Sequence, residues 1–252
     1  MTSYGISKKP LTTSKPVFIK SELLSSLDVP HGISLRVPGK KSFFSMKTDE
    51  VENRAEFFSA LGFTEKDVAR ANQVHSSNVT VVYKSGTYPG TDALITNQPD
   101  ILLTISIADC VPILVYDHIR KIVCAVHAGW RGTTEKILSK TLDILRRQFH
   151  SNMRDVLVYI GPAADKCCYE VGEDVANYFG AEFLTRNHKG NYFLDLKSAN
   201  LSEVIKKGVP QENVEVSERC TICDLNFHSY RRDGENSGRM LAAIGLKNFK
   251  QY

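Results

Sequence analysis

Three short stretches place residues able to do chemistry at the ends of apolar runs. NQVH ends on His75 just ahead of the β-rich NVTVVY, SIADC sets Asp109 and Cys110 between two apolar strands, and KIVCAVHAGWRG carries His127 straight into Trp130, the chain's single tryptophan, and Arg131. One cysteine with two histidines is the donor set of an open zinc site, in which a water takes the fourth position and becomes reactive. Each residue also has a plainer reading, as a hydrogen-bonded imidazole at a strand end or a small buried hydrophobe, and the spacing alone does not choose. What favours chemistry is the company, because Asp109, Trp130 and Arg131 have no reason to gather beside a thiol and an imidazole that merely pack. Over 122–127, strand alternation puts Ala125 and His127 on one face and Cys124 and Val126 on the other. Cys124 is therefore expected to point away from any site that His127 joins.

The elements that position these residues are legible from periodicity. ILLTISIA, VPILVYD and IVCAVHA read as three successive strands over 101–128, with Pro112 pressing Val111 toward extended geometry and a polar turn at His118 to Arg120. EKILSKTLDILRRQF then lines up Ile137, Leu138, Leu142, Leu145 and Phe149 on one helical face, with Thr133 as the expected N-cap. DVLVYIG, YFLDL, NVEVS and GRMLAAIGL read as further strands, alternating with helices that begin near 172 and 197, the second ending at Gly208. The expected fold is α/β (α+β), a layered sandwich with a mixed sheet, forming a single domain over 17–252 behind a flexible arm at 1–16. A chain of 252 residues, 42% of them hydrophobic, can bury the core this needs.

Composition narrows the function classes. With 32 basic and 28 acidic residues the net charge is only +4 and forms no basic stripe, so no nucleic-acid partner is expected. The longest apolar stretch, 101–116, is interrupted by Thr104, Ser106, Asp109 and Pro112, so no membrane span is expected. The N-terminus lacks the apolar run of a secretory signal, which points to a cytoplasmic protein whose six cysteines stay reduced. CTIC at 220–223 has the spacing of a zinc knuckle, but the other candidates, Cys167 and Cys168, are vicinal. CTIC therefore reads as structural or incidental. Arg131, Arg231 and Arg232 are expected to pair with carboxylates such as Glu170 or Asp233, Trp130 to pack beside the His127 loop, and Asp92 either to cap a turn or to orient a ligand histidine.

TDALITNQPDILLTISIADCVPILVYD, AVHAGWRGT, IGPAADKCCYEVG and SYRRDGENSGRM together resemble the laccase-domain, or polyphenol oxidoreductase, family over most of the chain, residues 31–246. Members of that family are regarded as purine nucleoside phosphorylases with adenosine deaminase activity. The resemblance implies an α/β/β/α sandwich and a metal site formed by His75, Cys110 and His127, taking zinc, with copper as the alternative. It also implies that the arginine of ENR, here Arg54, holds phosphate, and it makes Arg36 of HGISLR a second candidate for the substrate side. The chain departs from the family pattern where VPGKKSFFSMKTDE follows Arg36, where Lys47 stands for an asparagine, and where Ser76 follows the metal histidine in place of glycine.

The implied reaction is phosphorolysis, in which phosphate attacks C1′ of adenosine, inosine or methylthioadenosine and the purine base departs. Deamination would need a zinc-activated water to attack C6 of adenine. The partners implied are a small nucleoside and phosphate, acting on a monomer or weak homodimer. Two other enzymes remain open: an amidase editing peptidoglycan precursors, with Cys110 as nucleophile and His127 as base or with zinc at the same residues, and a copper polyphenol oxidase. Seven histidines without a His-x-His pair support the last poorly.

Overall fold

Every residue of the strands Val111–Asp117 and Ile122–Ala128 is buried, and strands with no solvent face need a layer on each side. The computed structural model, which describes residues 17–248, supplies both layers; the arm expected at 1–16 lies outside the described residues. One six-stranded mixed sheet runs in the order Val214–Val216, Val156–Ile160, Val111–Asp117, Ile122–Ala128, Ala93–Thr96 and Val79–Val81. The other runs Phe18–Ile19, His31–Ser34, Met240–Gly245, Leu102–Ile107, Val68–Asn72 and Gly86–Pro89. A small three-stranded sheet is formed by Glu170–Val171, Tyr192–Leu194 and Leu184–Arg186.

Alternation along the central strands assigns each residue to a layer. Leu114, Tyr116, Val123 and Ala125 meet the second large sheet in one continuous core, which extends to Phe57 and Phe58 of the helix Val51–Ala60. Ile113, Val115, Cys124 and Val126 face the opposite way, against Leu138, Leu142 and Leu145 of the helix Ile137–Gln148. The result is an α/β/β/α sandwich built on two mixed sheets.

The helix after His127 departs from expectation. Trp130–Thr134 forms a short helix and Ile137–Gln148 a second, divided at Lys136, whose φ of 66° and ψ of 39° are left-handed. Thr133 therefore caps nothing; it is buried, and its hydroxyl accepts a hydrogen bond from Asn200 Nδ2 at 3.0 Å. The first turn lies close against the neighbouring loop, since a Cβ on Gly132 would stand 2.9 Å from the Ser76 carbonyl oxygen. The chain must then be re-aimed before Ile137 and Leu138 can cover the sheet. Strands near 156, 192, 214 and 240 and the helix Leu196–Lys206, capped by Asp195 accepting from Ser198 N at 2.9 Å, form where periodicity places them. Among the described residues no helix is long and apolar enough to cross a membrane.

Candidate metal centre and active site

Antiparallel pairing sets Pro112 opposite His127 and Val111 opposite Ala128, which brings the Cys110 turn beside the end of the histidine strand. His127 is buried, and an imidazole with no access to water needs a partner for Nδ1. Asp92 Oδ1 is that partner, at 2.8 Å. A carboxylate can only accept, so the proton sits on Nδ1 and Nε2 is left for Cys110.

Asp92 also builds the loop that carries His75. Its carboxylate accepts from the backbone N–H of Val74 (3.2 Å), His75 (3.0 Å) and Ser76 (2.8 Å) and from the Ser76 hydroxyl (2.7 Å). Sequence leaves its role open between capping a turn and orienting a histidine; the fold has it do both. Those bonds hold His75 at a φ of 60°, a conformation that costs a non-glycine residue on the order of 1–3 kcal/mol. Ser76 adds its hydroxyl to the arrangement. Although burial pushes Asp92 up, the His127 imidazole and the Ser76 backbone hold its carboxyl well below the usual range.

The glycines of HAGWRG are fixed by close approach. A Cβ on Gly129 would lie 3.1 Å from Cys110 Sγ and 3.4 Å from the His75 ring, and one on Gly132 would lie 2.9 Å from the Ser76 carbonyl oxygen. With this room, the donor atoms of His75, Cys110 and His127 lie within 4.8 Å of one another, the two rings edge to face at 4.9 Å between centroids. Burial alone would raise the Cys110 thiol, but the imidazoles of His127 and His75 draw it down to about 6. His127 is pushed the other way, to about 9, because Cys110 and Asp92 outweigh its desolvation. A thiol ready to ionise beside two imidazoles, one with its tautomer fixed, fits a zinc or copper ion by donor chemistry.

The three residues border a cavity of about 1050 Å³. Five basic side chains line it, Lys47, Arg54, Arg70, Arg231 and Arg239, against the acidic Asp49 and Asp109. The excess of positive charge favours an anionic ligand. Arg54 is buried, and its Nη1 donates to the carbonyls of Lys47 (2.7 Å) and Thr48 (2.6 Å), with Glu65 at 3.5 Å from Nε. Its neighbour Asn53 donates to the Ser45 carbonyl at 2.9 Å. The asparagine and arginine of ENR thus fasten the 37–49 segment through its backbone. Glu65 also bonds Arg70 Nη2 at 2.7 Å, linking the two arginines.

The other residues singled out from the sequence fall in varied places. Arg36 is not among the residues lining the cavity, and its Nη1 donates to the Leu225 carbonyl at 3.2 Å. Arg232 pairs with Asp233 at 2.7 Å as expected, whereas Arg231 reaches the Glu170 carbonyl, at 2.9 Å, and not its carboxylate. Trp130 packs against Tyr178 at 5.9 Å and under Arg131, outside the cavity. Cys124, whose thiol burial pushes up, faces the helices as expected. CTIC is not incidental, since Cys220 and Cys223 meet Cys167 and Cys168 in a cluster. Sequence reading missed Arg70, Arg239, Tyr169 and Tyr230 on the cavity wall. For the two tyrosines the available signal was adjacency to the quoted CCYEVG and SYRRDG stretches; the two arginines carry none.

The site can now be set beside known proteins. The sequence model of the multi-copper polyphenol oxidoreductase laccase family matches residues 46–247. The chain belongs to this family. It is 36% identical over 234 residues to a purine nucleoside phosphorylase of Deinococcus radiodurans, covering 88% of this chain and 90% of the relative. It is 32% identical over 205 residues to adenosine deaminase RL5 from an unknown prokaryotic organism, covering 74% and 78%. Among solved structures, YlmD from Geobacillus stearothermophilus superposes with a TM-score of 0.85 at 31% identity, covering 93% of this chain and 97% of that one.

Proposed function

We propose that this chain is a purine nucleoside phosphorylase that also deaminates adenosine, with zinc held by His75, Cys110 and His127 and residues 17–252 acting as one catalytic domain. The observation that carries the reading is the cavity, where an excess of cationic side chains meets a three-donor cluster of His75, Cys110 and His127. Its size is ample for a nucleoside and phosphate together. The Deinococcus and RL5 relatives supply the two activities by name.

Phosphorolysis passes through an oxocarbenium-like state, so the protein's task is to position two substrates and to place charge. Arg54 is suited to phosphate because the Lys47 and Thr48 carbonyls fix its guanidinium plane before any ligand arrives. Pre-ordering of this kind reduces the entropy lost on binding. Tyr169 and Tyr230 offer ring faces to the nucleoside, and Arg231 lies 5.3 Å over the Tyr169 ring. For deamination, bound zinc would supply Lewis-acid activation of water. Asp92 bonds His127 Nδ1 and so turns Nε2 toward Cys110, where zinc would take the place of the proton the pair shares.

The test is incubation of purified protein with adenosine, inosine and methylthioadenosine, with and without phosphate. Free base appearing only with phosphate, and inosine forming from adenosine without it, are the expected products. No base release from any of the three would sink the reading.

A second reading rests on one observation: Cys110, His127 and Asp92 also form a thiol, imidazole and carboxylate chain suited to amide hydrolysis. A thiol alkylating agent separates the two. Metal-bound Cys110 should react slowly, and faster after chelation, whereas a nucleophilic Cys110 should react fast at once and activity should vanish with it.

A further inference from the structure

The second cluster has no part in the chemistry above. Cys167 and Cys168 sit on a tight turn where Cys168 N donates to the Asp165 carbonyl at 2.8 Å. Cys220 and Cys223 sit on another, closed by Asp224 N to the Cys220 carbonyl at 3.0 Å. The turns are joined where Ala163 and Cys220 form a parallel bridge. Lys197, a buried lysine, reaches the Ser217 carbonyl and the Asp165 carboxylate, each at 2.5 Å, and so ties the roots of both.

All four thiols are free, and their sulfurs lie within 4.8 Å of one another. Cys223 Sγ is 3.5 Å from Cys167 Sγ and 3.3 Å from Cys168 Sγ. A disulfide would need about 2.05 Å. Four sulfurs around a tetrahedral zinc, each at about 2.3 Å, would stand roughly 3.8 Å apart. The observed separations are far from the first value and within a few tenths of the second.

We propose that Cys167, Cys168, Cys220 and Cys223 form a second metal site, a closed four-thiolate zinc site that clamps the two turns and thereby holds one wall of the cavity. Binding replaces four S–H bonds by four zinc–sulfur bonds and releases the protons to solvent. With four protein ligands no position remains for water or substrate, so the role is structural. The clamp reaches the first site by two routes. Tyr169, on the cavity wall, directly follows Cys168. Thr221, between the CTIC cysteines, donates its hydroxyl to Asp109 Oδ1 at 2.6 Å, next to Cys110. Asp109 is held at a φ of 89° and also accepts from Arg231 N at 2.7 Å, so its place depends on these neighbours.

Elemental analysis of the full chain, purified under reducing conditions, tests this. The expected content is about two zinc ions per chain in the native protein, about one in Cys110→Ala and about one in a Cys220→Ser, Cys223→Ser double variant. Should the double variant fail to fold, cobalt loading of Cys110→Ala decides, because only the four-thiolate site can then give a strong sulfur-to-cobalt charge-transfer band. A metal-free Cys110→Ala protein that gives no such band would overturn the proposal. So would a disulfide joining Cys167 or Cys168 to Cys220 or Cys223 in reduced preparations.

Discussion

Two sulfur-bearing clusters in one chain are built on opposite plans. At His75, Cys110 and His127 a single carboxylate, Asp92, accepts five hydrogen bonds, from three backbone N–H groups, a hydroxyl and an imidazole. That framework exists before any ion arrives, and the imidazoles bring Cys110 down to about 6. At the four-cysteine cluster no histidine or carboxylate belongs to the set, and burial together with the Cys223 thiol pushes Cys168 up to about 11. The first cluster is prepared by a carboxylate that the fold supplies; the second gathers four sulfurs with no such partner, and on the proposal above a metal would ionise them. On that proposal the first arrangement leaves a coordination position open for chemistry and the second uses all four for structure.

The strongest way to break this contrast is to remove the preparation. Asp92→Ala leaves a buried imidazole and three N–H groups without their acceptor and should cost about 3–5 kcal/mol in denaturant unfolding. Zinc affinity at the first site should fall about 10–100-fold, while the four-cysteine zinc is retained. Unchanged affinity at the first site would mean that its ligands are arranged by something other than Asp92.

Arg54→Ala tests whether the open position faces an anion. Losing charge-assisted hydrogen bonds of about 1.5–3 kcal/mol should slow phosphorolysis at limiting phosphate by about 10–150-fold. Neither zinc should be lost, and an unaltered dependence of rate on phosphate would assign the anion to another cavity arginine.

Gly132→Ala probes the first framework sterically. Its Cβ would meet the Ser76 carbonyl at 2.9 Å, and overpacking of this kind costs about 1–3 kcal/mol. Zinc at His75, Cys110 and His127 should bind more weakly, whereas the four-cysteine site should read the same by cobalt absorption. The smallest effect is expected for Cys124→Ala, a buried sulfur belonging to neither cluster. It should lower stability by roughly 1 kcal/mol and leave the elemental zinc content as it was.

How much of this was legible beforehand depends on the distance over which each feature is encoded. His75, Cys110 and His127 announce themselves because each ends an apolar run, and Cys124 could be set aside because strand alternation is a local rule. Asp92 was visible as a residue, but its double role needs two loops to meet. The four-cysteine cluster was unreadable because Cys168 and Cys223 are 55 positions apart and one pair is vicinal, so no spacing rule joins them. Arg70 and Arg239 have no local mark, since an arginine within a strand or just before one looks like any solvated one. The break at Lys136 escaped notice because the apolar pattern runs on past it while the backbone does not.

Gln73 carries a consequence of its own. Its amide donates to the Ser106 carbonyl at 2.8 Å and accepts from the Ser106 N–H at 2.7 Å, standing in for one more residue of strand pairing. A side chain that impersonates backbone acts as a spacer, and its reach sets how far the His75 loop stands from the strand leading to Cys110. Gln73→Asn would be a gauge change, shortening that spacer by one carbon, roughly 1.5 Å, while altering no charge and no ligand. The separation between the loop that carries the first histidine and the strand that leads to the cysteine is thus written in the length of a single side chain.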